Sequence, residues 1–387
     1  MTPSTRSLDA MLRDDHLEVR RTCTRFAERE IAPYSTEWEE AEEFPRDLYK
    51  MAAEAGILGM SLPEEVGGSG GDALHSLMVT EGLMVGGSTG VIAGLGSLGI
   101  GLPPIVQAGD PGQIERYVKP AIAGDTISAL GVTEPGAGSD VAGIRTRAVR
   151  DGSDYVITGS KTFITSGVRA DHVTVLCRTS DDPHGGLTFF VVEKGMKGFE
   201  VSRALHKTGW RASDTAELSF DNVRVPEENR VGAEGSAFVT LMRNFQGERL
   251  MLAGFGHAAA EFCLLKATEW AREREAFGRA LMGFQVTRHK LADMATKVLS
   301  AKALNYWVAS RVAAGDYLVA ETSMAKNHSA TIANEVCYDA VQIFGGMGYM
   351  RETVVERLSR DVRILPIGGG TQEIMKEITA KTLGFGR

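Results

Sequence analysis

Cysteine is scarce in this sequence, and closely spaced cysteines are absent. Its 387 residues include only Cys23, Cys177, Cys263 and Cys337, with no CxxC pair and no metal-ligand spacing. This pattern excludes a disulfide-rich secreted scaffold and a cysteine zinc site, since both use several cysteines at short spacings. We therefore expect four reduced thiols in an intracellular protein and no metal cofactor.

The sequence also lacks an excess of basic residues and a long apolar run. Asp and Glu number 50 against 42 Lys and Arg, so the formal net charge is -8. Nucleic acid is not expected as a partner, because phosphate binding needs clustered basic residues. No stretch approaches about 20 apolar residues, so no membrane span is expected. The N-terminal segment is typical of neither a secretory signal nor a basic transit peptide, and the expected location is cytoplasmic.

The spacing of apolar residues changes twice along the chain. In the first third it is three to four residues, as in helices. It becomes two between residues 129 and 235, where β-rich runs such as HVTVLCRT and LTFFVVEK occur. Helical spacing then returns, and proline is absent from Ser236 until Pro366, which favours about four long helices. We predict an α+β fold of three domains: helical residues 1–128, β residues 129–235 and a helical bundle at 236–387.

One acidic residue lies where a helix should be apolar. On a helix that begins near Ser236, Leu241 and Leu252 share a face, and Glu248 falls within about 20° of Leu241. A carboxylate in an apolar stripe loses hydration, which raises its pKa and suits it to act as a general base near neutral pH. The alternative at this point is a structural ion pair between Glu248 and a neighbour such as Arg249.

Two glycine-rich segments have different predicted roles. The apolar run GLGSLGIG at 94–101 favours close helix packing rather than phosphate binding. The polar segment Leu130–Asp140, LGVTEPGAGSD, links the helical and β parts of the chain; it exposes backbone amides and adds the hydroxyls of Thr133 and Ser139. Such a loop suits the polar edge of a planar ring or a pyrophosphate. The alternative interpretation is turn chemistry that leads into a strand.

The motif TEPGAGSD resembles the signature of the acyl-CoA dehydrogenase family, and similar matches extend over nearly the whole chain. They are Phe163-Ile164-Thr165, KTGWRASDTAELSFDNVRVP at 207–226, REREAFGRALMGFQ at 272–285, QIFGGMGY at 342–349 and GTQEI at 370–374. The resemblance implies an acyl-CoA dehydrogenase-like fold, FAD as cofactor and an acyl-CoA substrate. It also implies an electron-transfer flavoprotein as electron acceptor and a homotetramer built as a dimer of dimers.

The resemblance assigns individual contacts as well. It implies that Phe163 flanks the isoalloxazine ring, that the Thr165 hydroxyl faces flavin N5, and that Arg274 grips the FAD of an adjacent subunit. The implied FAD contacts are Leu130, Val132, Thr133, Gly138, Ser139, Phe163, Ile164, Thr165, Arg274, Phe277, Gln285, Gln342, Gly345, Gly346, Thr371 and Glu373. The implied substrate contacts are Ser139, Phe245, Arg249, Gly369 and Gly370, with Arg249 at the CoA portion.

The base departs from the commonest family pattern. Many members carry a glutamate two residues before the Thr of the C-terminal GT motif, but that position here is Gly369, which cannot accept a proton. Long-chain and isovaleryl-CoA dehydrogenases place the glutamate before an Arg on the first long bundle helix, and GERLML puts Glu248 there. Helical periodicity selects the same residue independently, so we predict Glu248 as base, with Glu373 as the alternative. The glycines at 368–370 either admit a branched or long acyl chain or make room for Glu248.

The predicted reaction is therefore the α,β-dehydrogenation of an acyl-CoA to the trans-2-enoyl-CoA. Glu248 takes the α proton, flavin N5 accepts the β hydride, and the electrons pass to an electron-transfer flavoprotein. Acyl-CoA oxidases fit less well because they are usually much longer, and flavin monooxygenase relatives usually lack a carboxylate at both base positions. A non-catalytic flavin- or acyl-CoA-binding protein is the remaining alternative, and Gly369 would support it if Glu248 were absent or exposed on the surface. The length and branching of the acyl chain stay open.

Overall fold

A layer of helices precedes the sheet. The computed structural model describes residues 3–386. The helices of this layer are α1 (Pro3–Arg6), α2 (Asp14–Glu30), α3 (Ser35–Ala41), α4 (Asp47–Glu54), α5 (Ala73–Met84), α6 (Thr89–Gly96), α7 (Leu98–Gly101), α8 (Pro103–Ala108), α9 (Pro111–Gln113) and α10 (Lys119–Ile122). In α2, Cys23, Phe26 and Ala27 recur at helical spacing and are buried, so the amphipathic pattern predicted from the sequence decides which face of the helix packs inward.

The glycine run at 94–101 serves two purposes. A Cβ on Gly94 would lie 2.5 Å from the Phe44 ring, and one on Gly101 would lie 2.7 Å from Ser128 Oγ. These two glycines confirm the prediction of close packing. Gly96 and Gly99 instead line a cavity, and a Cβ on Gly99 would meet no atom within 4 Å. The prediction was therefore wrong for that pair, because helical spacing turns alternate glycines of the run toward different neighbours.

The middle of the chain forms one sheet. Its strands are β1 (Ser128–Gly131), β2 (Arg147–Asp151), β3 (Asp154–Thr165), β4 (His172–Arg178), β5 (Leu187–Glu193), β6 (Phe199–Ala204), β7 (Thr215–Pro226) and β8 (Arg230–Val231). The spatial order is β6-β7-β3-β2-β4-β5-β8, and β1 pairs in parallel with β4. β4 and β5 are apolar and buried along almost their full length, because they are covered on both faces.

The C-terminal part is a helical bundle. Its helices are α11 (Ala237–Glu273), α12 (Gln285–Ala313), α13 (Val319–Phe344), α14 (Val354–Asp361) and α15 (Gln372–Thr382), and a hairpin of β9 (Glu275–Ala276) and β10 (Arg279–Ala280) follows α11. Three of these helices are long, and α15 is a shorter fourth. Left-handed backbone at Gly278, Gly315 and Gly345 marks the connections after them. Gly256 lets α11 approach α13 closely, since a Cβ there would lie 2.8 Å from Ser329 O.

Two helical segments are apolar enough to cross a membrane by length and composition alone. They are Thr89–Ala108 and Ala237–Glu273, whose most apolar windows are 72% and 78% buried inside the fold. The expectation that no stretch approaches this length was therefore too strict. Both segments are rich in glycine and alanine because they pack closely against other helices, and their apolar character is that of core helices.

A buried group of charges joins the N-terminal helices to the bundle. Glu81 of α5 accepts hydrogen bonds from Tyr306 Oη (2.7 Å) and Lys302 Nζ (3.0 Å), and its carboxylate lies 2.9 Å from His257 Nε2. Lys302 also donates to Glu261 at 2.8 Å. Buried charges are costly unless each is paired, and here each contact joins two of the helices α5, α11 and α12. The arrangement of these helices shapes the cavity described below.

Candidate active site

Glu248 on α11 faces the turn at residues 368–370. Its side chain is half-buried and lines a cavity between α11 and the N-terminal helices. A Cβ placed on Gly369 would lie 3.5 Å from Glu248 Oε1. The carboxylate of Glu248 therefore reaches the space into which a side chain at position 369 would project.

The glycines of this turn are required by their surroundings. A Cβ on Gly369 would lie 2.3 Å from Leu252 Cδ1, and one on Gly370 would lie 2.6 Å from Met375 Cε. Both residues also have positive φ, +65° and +97°, which side chains rarely adopt. The glycines therefore make room for Leu252 of α11 and Met375 of α15, whereas a Cβ at position 369 would be at ordinary contact distance from the Glu248 carboxylate.

The electrostatic surroundings suit Glu248 to proton transfer. Burial raises the pKa of its carboxyl group, and the charges of Arg249 and Lys326 partly offset that rise. Within residues 3–386 no ion pair or hydrogen bond to its carboxylate is formed. The structural ion pair with Arg249 is absent, because the Arg249 Nε instead faces the Gly369 carbonyl oxygen at 3.4 Å. A desolvated carboxylate without a donor is a stronger base than an exposed one.

A second buried cation lies at the same turn and was not predicted from the sequence. Lys326 of α13 is 1% exposed, and its Nζ donates to the Gly370 carbonyl oxygen at 2.5 Å. Burial and the nearby Arg249 lower the pKa of Lys326 to about 8. A lysine on the face of α13 otherwise occupied by Thr322, Ser329 and Ala333 was the available signal, since charged residues are rarely buried without a partner.

An apolar cavity of about 540 Å³ extends from Glu248 between α11 and helices α5 to α8. This volume is within the range of small-molecule sites. Its apolar lining includes Leu77, Leu83, Ile92, Leu95, Leu98 and Met251. Polar lining residues include Asn244, Gln107 and Asp316. The cavity suits a ligand with a long apolar portion next to a reactive centre at Glu248.

Two carbonyl groups of the loop between β1 and β2 accept hydrogen bonds from within the protein. Val132 O accepts a hydrogen bond from the buried Lys161 Nζ at 3.0 Å, and Thr133 O accepts one from the Thr162 N–H at 2.8 Å. Lys161 is also paired with the Glu134 carboxylate at 2.7 Å. The N–H of Thr133 has no acceptor among the described residues. This N–H remains available to an external acceptor such as the polar edge of a flavin.

Phe163 provides an exposed aromatic face beside this loop. A bulge in the pairing of β3 with β7 lies between Lys161 and Ile164, and Phe163 has φ of +60°. Its side chain is 69% exposed, whereas Ile164 is buried and Thr165 is half-buried at the end of β3. A non-glycine residue in this conformation costs about 1–3 kcal/mol and is typical of functional sites. The loop amides and this ring together fit an isoalloxazine ring.

The glycines of the loop leave space in front of it. A Cβ on Gly136 would meet no atom within 4 Å, and one on Gly138 would meet only Thr133 Cγ2, at 4.0 Å. Ser139 is exposed at the end of this segment, and the backbone of Leu130 and Val132 lies behind it with both side chains buried. The structure thus brings the N-terminal group of predicted FAD residues together on one surface.

Six more of the predicted FAD residues form a second group at the far end of the bundle. The group comprises Arg274, Phe277, Gln285, Gln342, Gly345 and Gly346. Stacking of Trp270 on Phe344, with ring centroids 4.7 Å apart, joins the ends of α11 and α13 there. Phe277 is 96% exposed, and Cβ atoms on Gly345 and Gly346 would meet no atom within 4 Å. The continuous helix between Glu248 and this group spans roughly 38 Å, so the group lies far from the base of the same chain.

Thr371 and Glu373 begin α15. The Thr371 hydroxyl accepts the N–H of Ile374 at 3.3 Å and caps the helix. Glu373 is exposed in the first turn, where backbone N–H groups and the Thr371 hydroxyl lower the pKa of its carboxyl group. A solvated carboxylate of low pKa is a weak base, so the environment of Glu373 is less suited to proton abstraction than that of Glu248.

Two histidines near the cavity have the spacing of a metal site but act as helix caps. Asp15, His16 and His75 offer ligand atoms within 4.8 Å of one another. However, His16 Nδ1 accepts the N–H of Arg13 and His75 Nδ1 accepts that of Asp72, each at 3.1 Å. The Nε2 of His16 lies 3.1 Å from Asp72 Oδ1, and that of His75 lies 3.4 Å from Asp15 Oδ2, so both nitrogens of each ring already have polar partners in the protein. These contacts give both histidines a capping role at the start of a helix.

Comparison with known proteins assigns the chain to a family. Its residues 13–125, 129–223 and 236–384 match the models for the N-terminal, middle and C-terminal domains of acyl-CoA dehydrogenases. It is 38% identical to the mitochondrial long-chain specific acyl-CoA dehydrogenase of Mus musculus over 395 residues, covering 99% of this chain and 90% of that protein. It is 34% identical to the mitochondrial isovaleryl-CoA dehydrogenase of Arabidopsis thaliana over 384 residues, covering 98% and 94%.

A solved structure agrees with this assignment. The crystal structure of a probable acyl-CoA dehydrogenase from Mycobacterium abscessus superposes with a TM-score of 0.95 at 55% identity, covering 97% of this chain and 100% of that one. The predicted fold class and family resemblance are thereby confirmed. The chain belongs to the acyl-CoA dehydrogenase family, whose members are FAD-dependent enzymes.

Proposed function

We propose that this chain removes one hydrogen from each of the α and β carbons of an acyl-CoA thioester, with Glu248 as the base, to give the trans-2-enoyl-CoA. The observation that carries the proposal is the position of the Glu248 carboxylate. It is desolvated, it is unpaired among the described residues, and it lies beside Gly369 at the end of an apolar cavity. These are the properties that abstraction of a weakly acidic α proton requires.

Different residues of this chain are proposed to accept the proton, bind the thioester carbonyl, enclose the acyl chain and bind the flavin. Glu248 accepts the α proton, while the N–H groups of Gly369 and Gly370, which have no acceptor among the described residues, are placed to donate to the thioester carbonyl. The apolar cavity holds the acyl chain and excludes water, which strengthens those hydrogen bonds. Thr133, Phe163 and the loop around them would hold the flavin ring. FAD, when bound there, supplies at N5 the acceptor for the hydride that leaves the β carbon.

The assembly is proposed to be a homotetramer in which α11 and α13 of one subunit complete the FAD site of another. The support is the distance of the second group of FAD residues from Glu248 and the exposure of Phe277 in that group. An electron-transfer flavoprotein is proposed as the electron acceptor, and the cytoplasm as the location. Small-angle scattering of the FAD-loaded protein tests the assembly, and a monomeric holo-enzyme would contradict it.

The experiment that tests the reaction is an anaerobic titration of the FAD-loaded protein with acyl-CoA thioesters, followed by flavin absorbance. The panel comprises straight chains of increasing length and isovaleryl, isobutyryl and citronellyl thioesters. We expect bleaching with at least one member and the 2-enoyl-CoA as product. The length of chain that bleaches fastest would identify the substrate class. Absence of bleaching with every thioester, with FAD bound, would refute the proposed dehydrogenation.

A further inference from the structure

Two buried cations from different helices hold consecutive carbonyl groups of the active-site turn. The Nε of Arg249 on α11 donates to Gly369 O at 3.4 Å, and the Nζ of Lys326 on α13 donates to Gly370 O at 2.5 Å. Arg249 is 5% exposed and Lys326 is 1% exposed. Together they turn both carbonyl groups toward the helices, and the N–H groups of Gly369 and Gly370 are left without an acceptor in the described part of the chain.

Lys326 is placed differently from the other polar residues that hold this segment. Asn327 donates to Gln372 O at 3.1 Å, and Gln372 Nε2 donates to Thr331 Oγ1 at 2.9 Å, so neutral bonds already dock the segment on α13. A neutral donor would be cheaper to bury than an ammonium group if docking were its only role. Lys326 has no salt bridge within 4 Å among the described residues, and its charge is directed to the turn that faces Glu248.

The charges around Lys326 come from three helices. Glu248 and Arg249 approach from α11, and Glu373 approaches from the first turn of α15. Arg249 in turn interacts electrostatically with Glu248 and Tyr317. Of the two cations acting on Glu248, Arg249 is its neighbour on the same helix, and Lys326 is the one supplied across the turn. Lys326 therefore both contacts the active-site turn and acts electrostatically on Glu248.

We infer that Lys326 is a positioning residue for the proton-abstraction step, because its ammonium group fixes the Gly370 carbonyl and its charge favours the carboxylate form of Glu248 against the effect of burial. This inference rests on the proposed function of Glu248. Removing the charge should raise the pKa of Glu248, since a nearby opposite charge favours the ionised form of a carboxyl group. The loss in rate should therefore be largest at low pH and smaller at high pH.

The test is the pH dependence of flavin bleaching by a reactive acyl-CoA in the FAD-loaded Lys326→Met and Lys326→Gln variants. Lys326→Gln keeps an amide donor and guards against a folding defect in Lys326→Met. We expect the acid limb of the rate profile to move to higher pH by about one unit in both, with little change in acyl-CoA affinity. Lys326→Arg should return the limb toward its wild-type position.

Lys290→Met is the matched control, because Lys290 lies in the same bundle and pairs with Asp339 at 2.5 Å away from the turn. Its acid limb should stay in place. A Lys326→Gln profile that superimposes on the wild-type profile would overturn the inference, as would an equal shift in Lys290→Met. Failure of the proposed function is distinguishable, because the wild-type protein would then show no bleaching at any pH.

Discussion

Glu248→Gln separates the catalytic role of this residue from its effect on stability. The amide has the shape of the carboxylate but cannot accept a proton. A positioned general base contributes about 10²–10⁴-fold to rate. At about 1.36 kcal/mol for each factor of ten, the barrier to flavin bleaching should rise by about 2.7–5.4 kcal/mol. Acyl-CoA affinity should change little, because the cavity itself is unaltered.

Although the bleaching rate of Glu248→Gln should fall, the stability of the folded protein should not. Burial raises the pKa of Glu248 in the folded protein, so folding favours the protonated form. For a carboxyl group with a raised folded pKa, the ionised form costs stability. This cost is absent below the unfolded pKa of about 4.3, grows between that value and the raised folded pKa, and is constant above it. The neutral glutamine removes the cost, so at pH 7 the variant should melt at the same temperature as the wild type or higher.

The assay is stopped-flow bleaching under anaerobic conditions, with melting temperatures measured on the same samples. Glu373→Gln is the control, since Glu373 is exposed and carries the alternative assignment of the base. Measured on FAD-loaded protein, it should lose far less of the bleaching rate than Glu248→Gln, because the resemblance assigns Glu373 to FAD binding and not to proton transfer. Wild-type bleaching should itself slow as the pH falls through the raised pKa of Glu248. A Glu248→Gln variant within tenfold of the wild-type rate, or a larger loss in Glu373→Gln, would refute the reasoning.

Three further changes test the surroundings of the site. Lys161→Met leaves the buried Glu134 carboxylate without its cation, so denaturant titration should show a loss of about 3–5 kcal/mol. Gly369→Ala forces a Cβ against Leu252, so thermal unfolding should show a loss of about 1–3 kcal/mol, and a double-mutant cycle with Leu252→Ala should show favourable coupling. Phe163→Ala removes an exposed ring, so unfolding of the apo protein should change by less than about 0.5 kcal/mol while titration shows weaker FAD binding.

Features that depend on local periodicity could be predicted from the sequence. The change from helical to strand spacing and back follows burial on one face of each element, so the three-part architecture was predictable. Glu248 was predictable for the same reason, because it interrupts an apolar stripe on a single helix. Its prediction as base is supported by the environment of the carboxylate and still awaits the Glu248→Gln experiment.

Features that depend on contacts between distant segments could not be predicted in this way. Lys326 meets Gly370 across 44 residues of chain, and nothing near Lys326 in the sequence indicates that contact. The outward turn of Phe163 depends on a bulge against β7, which lies more than 50 residues further along the chain. The division of the glycine run between packing and the cavity likewise depends on which helices surround Gly96 and Gly99.

The length of α11 has a consequence for mixed assemblies. Glu248 lies near one end of this helix and Arg274 follows its other end, and under the proposed assembly the two residues serve different active sites. A subunit that lacks its base still completes the cofactor site of its neighbour, and a subunit that lacks Arg274 still offers its own base. Two inactive variants, one changed at Glu248 and the other at Arg274, would therefore complement each other when assembled together. The mixture would have activity that neither variant has alone.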